Sequence, residues 1–217
     1  MSGRLDSVLW DMDGTLIDSE PAWFAAQTQI VGQHGGTWSR ADALALVGSD
    51  MPQTVAAMQA AGTDLTGDEI ATRLTLAVRD ALATSLEWRP GAFELVSALA
   101  TVGIPQAIVT TSSRAVTGVV VDALPAATIR LTVTGDDVTR GKPDPEPYLL
   151  AAALLGCDII RCAVIEDSLI GLTAGAASGA KVVGVPHDLE LPTSPQWTLW
   201  STLAGKTPRD LEGLMSG

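Results

Sequence analysis

Residues 7–15 read SVLWDMDGT, a short apolar run that ends at two aspartates separated by one residue. The same arrangement returns twice, because residues 107–109 precede Thr110-Thr111 and residues 163–165 precede Glu166-Asp167. Continuous apolar runs of this length are typical of strands buried on both faces. The carboxyl ends of parallel strands lie at one edge of a sheet, where ligands bind. The sequence therefore predicts a parallel sheet with an acidic site at that edge.

Helical patterns separate and follow these runs, at residues 92–102, 113–124, 144–155 and 169–178. Further short strands are predicted near residues 131–133 and 182–185. Strands that alternate with helices indicate an α/β fold, here a Rossmann-like parallel sheet with helices on both faces.

The segment from residue 18 to residue 88 has no apolar strand run and contains four helix starts, at Ser19, Ser39, Pro52 and Asp68. It is predicted to be an inserted all-helical cap domain, residues 18–88, and the core domain then comprises residues 1–17 and 89–217. Because the insert follows the first strand directly, we expect it to lie over the carboxyl ends of the sheet.

Composition narrows the possible partners and the compartment. The 217 residues contain 13 lysines and arginines against 25 acidic residues, a net charge of −12. This charge argues against nucleic acid and against an anionic membrane as partners. The two cysteines, Cys157 and Cys162, form no metal-binding spacing, and no secretion signal precedes Asp11. We therefore expect a cytoplasmic protein, and its oligomeric state stays open.

Acidic side chains at the strand ends would repel one another unless a cation were bound. Oxygen ligands without a His or Cys cluster favour Mg²⁺ over Zn²⁺, and Mg²⁺ commonly shares its ligands with substrate phosphate. The sequence thus predicts Mg²⁺ as the cofactor.

Four stretches in this order resemble the motifs of the haloacid dehalogenase-like phosphohydrolases. They are DMDGTLIDS at residues 11–19, VTTS at 109–112, GKPDP at 141–145 and VIEDS at 164–168, followed by Gly171. The helical insert resembles the cap of the branch that contains β-phosphoglucomutase and small-molecule sugar phosphatases. The resemblance covers nearly the whole core.

The resemblance implies a role for each matching residue. Asp11 would attack phosphorus and form an aspartyl-phosphate, and Asp13 would act as general acid and then as base. Asp11, the Asp13 carbonyl and Asp167 would bind Mg²⁺, with Glu166 as a further ligand or as support behind them. Lys142 would act in catalysis by supplying positive charge against the developing anion, and Thr111, also catalytic, would hold phosphoryl oxygens together with the Ser112 backbone amide. Further contacts to the substrate are expected from Arg114, Trp23 and Met51.

Departures from the family patterns reduce the number of reactions that fit this sequence. Asp13 argues against dehalogenation, and the absence of lysine between residues 18 and 88 argues against phosphonate hydrolysis. Trp23 and Met51 stand where a mutase-like cap would offer a histidine and an arginine. The insert carries nine acidic residues against three arginines, which makes it a poor partner for a second phosphate. We therefore expect a phosphatase for a small phosphate monoester, with a sugar or polyol phosphate as a candidate. A β-phosphoglucomutase-like mutase is the first alternative, and a non-catalytic binding module on the same fold is a remote one.

Overall fold

The computed structural model describes residues 4–215 and contains a six-stranded, fully parallel sheet with strand order β3-β2-β1-β4-β5-β6. The strands are β1 (Ser7–Trp10), β2 (Gln106–Val109), β3 (Leu131–Val133), β4 (Cys162–Glu166), β5 (Lys181–Gly184) and β6 (Trp197–Leu199). This is the order of a doubly wound Rossmann-like sheet. The predicted fold class is confirmed.

Nine α-helices lie within the described residues. The helices of the insert are α1 (Glu20–Gln33), α2 (Arg40–Leu44), α3 (Met51–Ala60) and α4 (Gly67–Thr84). The remaining helices are α5 (Ala92–Thr101), α6 (Arg114–Asp122), α7 (Glu146–Leu155), α8 (Leu169–Ser178) and α9 (Pro208–Leu214). The helices alternate with the strands from α5 to α8, as the sequence predicts.

The sheet is buried on both faces because its side chains alternate between two apolar clusters. Val8 and Trp10 of β1 belong to one cluster, which also holds buried residues of α5 and α6. Leu9 points to the other face and packs in a cluster with residues of α7 and α8. This arrangement explains why the strand runs are continuously apolar rather than alternating.

Residues 18–88 leave and rejoin the core at adjacent points. The Asp18 amide donates to the Glu87 carbonyl at 2.9 Å, and the Arg89 amide donates to the Leu16 carbonyl at 2.8 Å. Buried residues of α4, such as Leu74, join the same apolar cluster as Trp10. The segment is helical as expected, and its status as a separate domain stays a prediction.

The structure adds two elements near the carboxyl terminus that the sequence analysis did not predict. They are the edge strand β6 and the helix α9. Within residues 4–215, no helix combines the length and apolarity that crossing a membrane requires. The cytoplasmic location stays a prediction.

Candidate active site

The ends of three adjacent strands bring the motif residues together. Asp11 follows β1, Thr110 and Thr111 follow β2, and Glu166 is the last residue of β4. Because β1 lies between β2 and β4, the three strand ends are neighbours at the carboxyl edge. Strand order also reverses at β1, which is where parallel sheets of this kind bind ligands.

Lys142 links two of these strand ends by direct contacts. Its ammonium group lies 2.6 Å from Asp11 Oδ1, 2.6 Å from Glu166 Oε1 and 2.9 Å from the Val109 carbonyl, to all of which it donates. The ammonium uses its three donors in this way, and the side chain is only 2% exposed. Lys142 is therefore a fixed positive charge beside Asp11.

Both oxygens of Glu166 are fully engaged. Oε1 accepts from Lys142 and from the Tyr148 hydroxyl at 2.7 Å. Oε2 accepts from the Asp167 amide and from the amide and hydroxyl of Ser168, at 3.1–3.3 Å. A Cβ on Gly171 would lie 1.8 Å from Glu166 Oε1, so a glycine is required there. The carboxylate of Glu166 is thus held rigidly behind Lys142.

Burial dominates the ionisation of the cluster. Burial is the largest cause that raises the pKa of Asp11 from 3.8 to about 7; the charge of Glu166 contributes to this rise, and Lys142 opposes it. Burial, followed by the charge of Asp11, also raises the pKa of Asp167 well above its usual range. For Lys142, burial alone would lower the pKa, but Asp11 and Glu166 together outweigh it and raise the value. The single charge of Lys142 is thus too small to keep the pKa values of Asp11 and Asp167 in their usual range.

Three carboxylates form a group that fits a divalent cation. Asp11, Glu166 and Asp167 are all buried, and each offers an oxygen within 4.8 Å of the others. Asp11 Oδ2 is buried and has no hydrogen-bond partner. Lys142 is the one buried cation in residues 4–215, so three negative charges face one positive charge. A hard dication matches both the net charge of −2 and the oxygen ligands.

Gly14 brings the backbone of the first motif against this group. Its φ is +80°, and a Cβ there would lie 2.1 Å from Asp167 Oδ2. Glycine therefore satisfies both a left-handed backbone and a close approach to the carboxylate.

Asp13 accepts four hydrogen bonds from side chains. Ser19 Oγ and Trp23 Nε1 donate to Oδ1 at 2.6 and 3.1 Å. Ser112 Oγ and Thr110 Oγ1 donate to Oδ2 at 2.7 and 3.2 Å. Its carboxylate is consequently separate from the three-carboxylate group and lies beside the cavity. The indole donor of Trp23, expected to meet the substrate, is used here on Asp13.

A cavity of about 70 Å³ lies between the insert and the strand ends. Eight predicted site residues line it: Asp11, Asp13, Trp23, Met51, Thr111, Ser112, Lys142 and Asp167. Glu166 and Arg114 are absent from the lining. Arg114 is exposed and forms an ion pair with Asp137, and its substrate contact stays a prediction.

The Ser112 backbone amide, which is expected to bind a phosphoryl oxygen, already donates a hydrogen bond within the protein. That amide donates to Thr110 Oγ1 at 3.0 Å. Binding of a phosphoryl oxygen through this amide would require the bond to be shared or broken.

Two lining residues of α1, Glu20 and Gln27, were missed by the sequence analysis. Burial raises the pKa of Glu20 to about 7, and the charges of Asp13 and Asp188 add to the shift. The signal was available, since Glu20, Trp23 and Gln27 are spaced by three and four residues and so share one helix face. Tyr148, which holds Glu166, carries no comparable local signal.

Comparison with known proteins gives a consistent result. A family model described as "Haloacid dehalogenase-like hydrolase" matches residues 8–185. Hexitol phosphatase A of Escherichia coli is 34% identical over 194 residues, which cover 87% of each chain. N-acetylmuramic acid 6-phosphate phosphatase of Pseudomonas aeruginosa is 33% identical, covering 85% of this chain and 83% of its own. The crystal structure of CbbY from Rhodobacter sphaeroides in complex with phosphate has a TM-score of 0.85 at 24% identity, over 96% of this chain and 99% of its own.

Proposed function

The chain belongs to the haloacid dehalogenase-like hydrolases. On this premise we propose that it is an Mg²⁺-dependent phosphatase of their β-phosphoglucomutase-like branch, working through an aspartyl-phosphate. It is a hydrolase of phosphate monoesters. The observation that carries the mechanism is Asp11, a buried carboxylate beside Lys142 with one oxygen unpartnered, which faces the same cavity as Asp13.

Asp11 acts as the nucleophile in this proposal. One of its oxygens forms a bond to phosphorus while the ester P–O bond breaks, and the leaving oxygen takes a proton. Lys142 stabilises the anion that develops, since it is already fixed beside Asp11 and need not reorganise. Phosphate monoester hydrolysis needs such help, because its uncatalysed rate is among the slowest known.

Asp13 moves the protons. In the first step it must carry a proton for the leaving oxygen, so one of its hydroxyl donors, Thr110 or Ser112, turns to accept. In the second step it takes a proton from the water that attacks phosphorus and frees Asp11. The arrangement in the structure, in which both oxygens accept hydrogen bonds, is that of the base.

Mg²⁺ would be held by Asp11, Asp167 and the Asp13 carbonyl. Glu166 would support the site from behind, because its two oxygens already accept five hydrogen bonds. When bound, the ion neutralises charge between the carboxylates and the phosphoryl group.

The lining of the cavity favours a phosphatase over a mutase. The part contributed by the insert contains Glu20, Trp23, Gln27 and Met51 and includes no Lys, Arg or His within the described residues. Arg40, the arginine of α2, is exposed and pairs with Asp188 of the core. A bisphosphate intermediate needs cationic contacts for its second phosphate, and this lining offers none. The two phosphatase relatives support a sugar or polyol phosphate as the substrate class.

The test is phosphate release from a panel of monoesters. We expect turnover with Mg²⁺, none with EDTA, and recovery when Mg²⁺ is restored. Asp11→Asn should fold normally by circular dichroism and lose activity, while Asp64→Asn, an exposed control, should keep it. Full turnover in EDTA would contradict the metal assignment. Activity of Asp11→Asn within about tenfold of wild type would remove Asp11 as nucleophile, because loss of a nucleophile costs far more.

A further inference from the structure

One face of α1 forms the roof of the cavity. Glu20, Trp23 and Gln27 are successive residues of this face, and all three line the cavity. Trp23 already donates its indole hydrogen to Asp13. Glu20 and Gln27 are the remaining polar groups of the face.

Gln27 is oriented by a neighbour that can only donate. Its Oε1 accepts from Trp38 Nε1 at 3.1 Å. An indole N–H has no acceptor capacity, so the oxygen of the amide must face Trp38 and the NH₂ group must point away from it. Gln27 is 5% exposed. No acceptor in residues 4–215 meets its Nε2, which leaves two N–H donors for the cavity.

We propose that Gln27 is a specificity-determining residue, which donates a hydrogen bond to a hydroxyl of the leaving group while Glu20 receives one from a hydroxyl. The inference rests on the proposed phosphatase function and deepens it, since it names what the enzyme recognises beyond the phosphate. The amide stays attached to Trp38 throughout, so it is preorganised and little side-chain entropy is lost on binding.

The chemistry around Gln27 selects the ligand class. A hydroxyl both accepts and donates, and it therefore satisfies an amide donor and a carboxyl acceptor on the same helix face. A second phosphate is repelled by Glu20 on that face and by Asp13, which lines the same cavity from the segment after β1. An alkyl leaving group would leave the buried amide donors unpaired, and unpaired buried groups give strong discrimination. A neutral polyhydroxyl monophosphate fits best.

The experiment compares two substrates of equal carbon number, sorbitol 6-phosphate and n-hexyl phosphate. Gln27→Leu removes the donor, and Gln27→Glu removes it but keeps an acceptor for Trp38. Gln29→Leu is the matched control, because Gln29 lies exposed on the same helix. Phosphate release gives kcat/KM for each pair, and thermal unfolding checks that the variants fold.

We expect wild type and Gln29→Leu to prefer sorbitol 6-phosphate equally. Both Gln27 variants should lower that preference, by about tenfold for Gln27→Leu, the size of one neutral hydrogen bond. Gln27→Glu should lower it less than Gln27→Leu, because the new carboxylate loses the donors but still accepts from a hydroxyl. An unchanged ratio in both Gln27 variants would overturn the inference.

Binding keeps the inference testable apart from turnover. Calorimetry measures the affinity of sorbitol 6-phosphate and of n-hexyl phosphate for Asp11→Asn protein, with Gln27 intact or replaced by leucine. Loss of selectivity on replacement supports the role of Gln27 even where no substrate is hydrolysed, in which case the proposed function alone fails. Equal selectivity with and without Gln27 overturns the inference even where hydrolysis is seen.

Discussion

Replacing Asp11 with asparagine should stabilise the metal-free protein at alkaline pH while it abolishes activity. Burial raises the pKa of Asp11 from 3.8 to about 7, the charge of Glu166 adds to the shift, and Lys142 only partly offsets it. Without a cation, the native state therefore keeps a proton on Asp11 that the unfolded chain releases at much lower pH.

The direction and size of this change in stability follow from the linkage between proton binding and folding. A carboxyl whose pKa is higher in the native state binds more protons there, so the free energy of unfolding falls as pH rises between the two pKa values. From pH 5 to pH 8, this group alone removes about 2–3 kcal/mol of stability. In a chain of this size, that loss corresponds to a fall in Tm of about 5–10 °C.

The assay is thermal unfolding by circular dichroism at pH 5 and pH 8, in EDTA and in Mg²⁺. Other groups titrate in wild type and in Asp11→Asn alike, so they cancel in the difference between the two proteins. In EDTA, wild type should lose more stability than the variant between the two pH values, and at pH 8 the variant should have the higher Tm. Mg²⁺ should raise the Tm of wild type at pH 8 much more than that of the variant, because the cation neutralises the charge of Asp11.

Asp64→Asn, an exposed substitution, should follow wild type throughout. If wild type and Asp11→Asn lost equal stability between pH 5 and pH 8 in EDTA, the native pKa of Asp11 would not be raised. A variant less stable than wild type at pH 8 would show that the ion pair with Lys142 outweighs burial. Either outcome would refute the reasoning.

Three further expectations concern the groups behind the site and the reaction. Tyr148→Phe removes a hydrogen bond to the Glu166 carboxylate and should lower unfolding stability by about 1.5–3 kcal/mol in urea titrations; an unchanged midpoint would contradict this. Gly171→Ala should destabilise the protein, since its Cβ would meet Glu166 at 1.8 Å, whereas Gly118→Ala, with nothing within 4 Å, should be neutral or stabilising in the same titration. With β-glucose 1-phosphate, glucose-6-phosphate dehydrogenase should report little NADPH; rapid, bisphosphate-dependent NADPH formation without phosphate release would favour the mutase.

The central strands were predictable because burial on both faces requires a continuous run of apolar residues, which is visible in the sequence. Residues 8–10 of β1 and residues 162–165 of β4 are apolar without interruption, and an acidic residue follows each run. β6 was missed because it lies at the sheet edge, and its three residues are exposed or half-buried. Helix α9 was missed although Thr207 and Asp210 form a capping box and Pro208 stands at the first helical position, both of which indicate a helix start.

The site was predictable where the motif itself carries the chemistry. Asp11 and Lys142 meet as expected, although 131 positions separate them. The donors to Asp13 and the orientation of Gln27 depend on contacts between separate segments, such as Thr110 with Asp13 across 97 positions. Helix periodicity places Gln27 on a face, but only the packing of Trp38 against it decides where the amide points.

Ser19 is the N-cap residue of α1, but its side chain does not cap the helix. In α2 and α4, the N-cap side chains of Ser39 and Thr66 accept from the amides of their own helices. Ser19 occupies the same position before α1 but makes no such bond, and its hydroxyl donates to Asp13 at 2.6 Å. Donation to Asp13 does not by itself prevent capping, because Ser39 Oγ donates to Asp42 and accepts from its amide at the same time. The backbone is what differs: Ser39 and Thr66 are extended, as N-cap residues usually are, whereas Ser19 has φ −96° and ψ −12°. The sequence also separates the helices, because α2 and α4 carry Asp42 and Glu69 at the third helical position and so complete a capping box, whereas α1 has Ala22 there. What the local sequence does not show is that the Ser19 hydroxyl donates to Asp13.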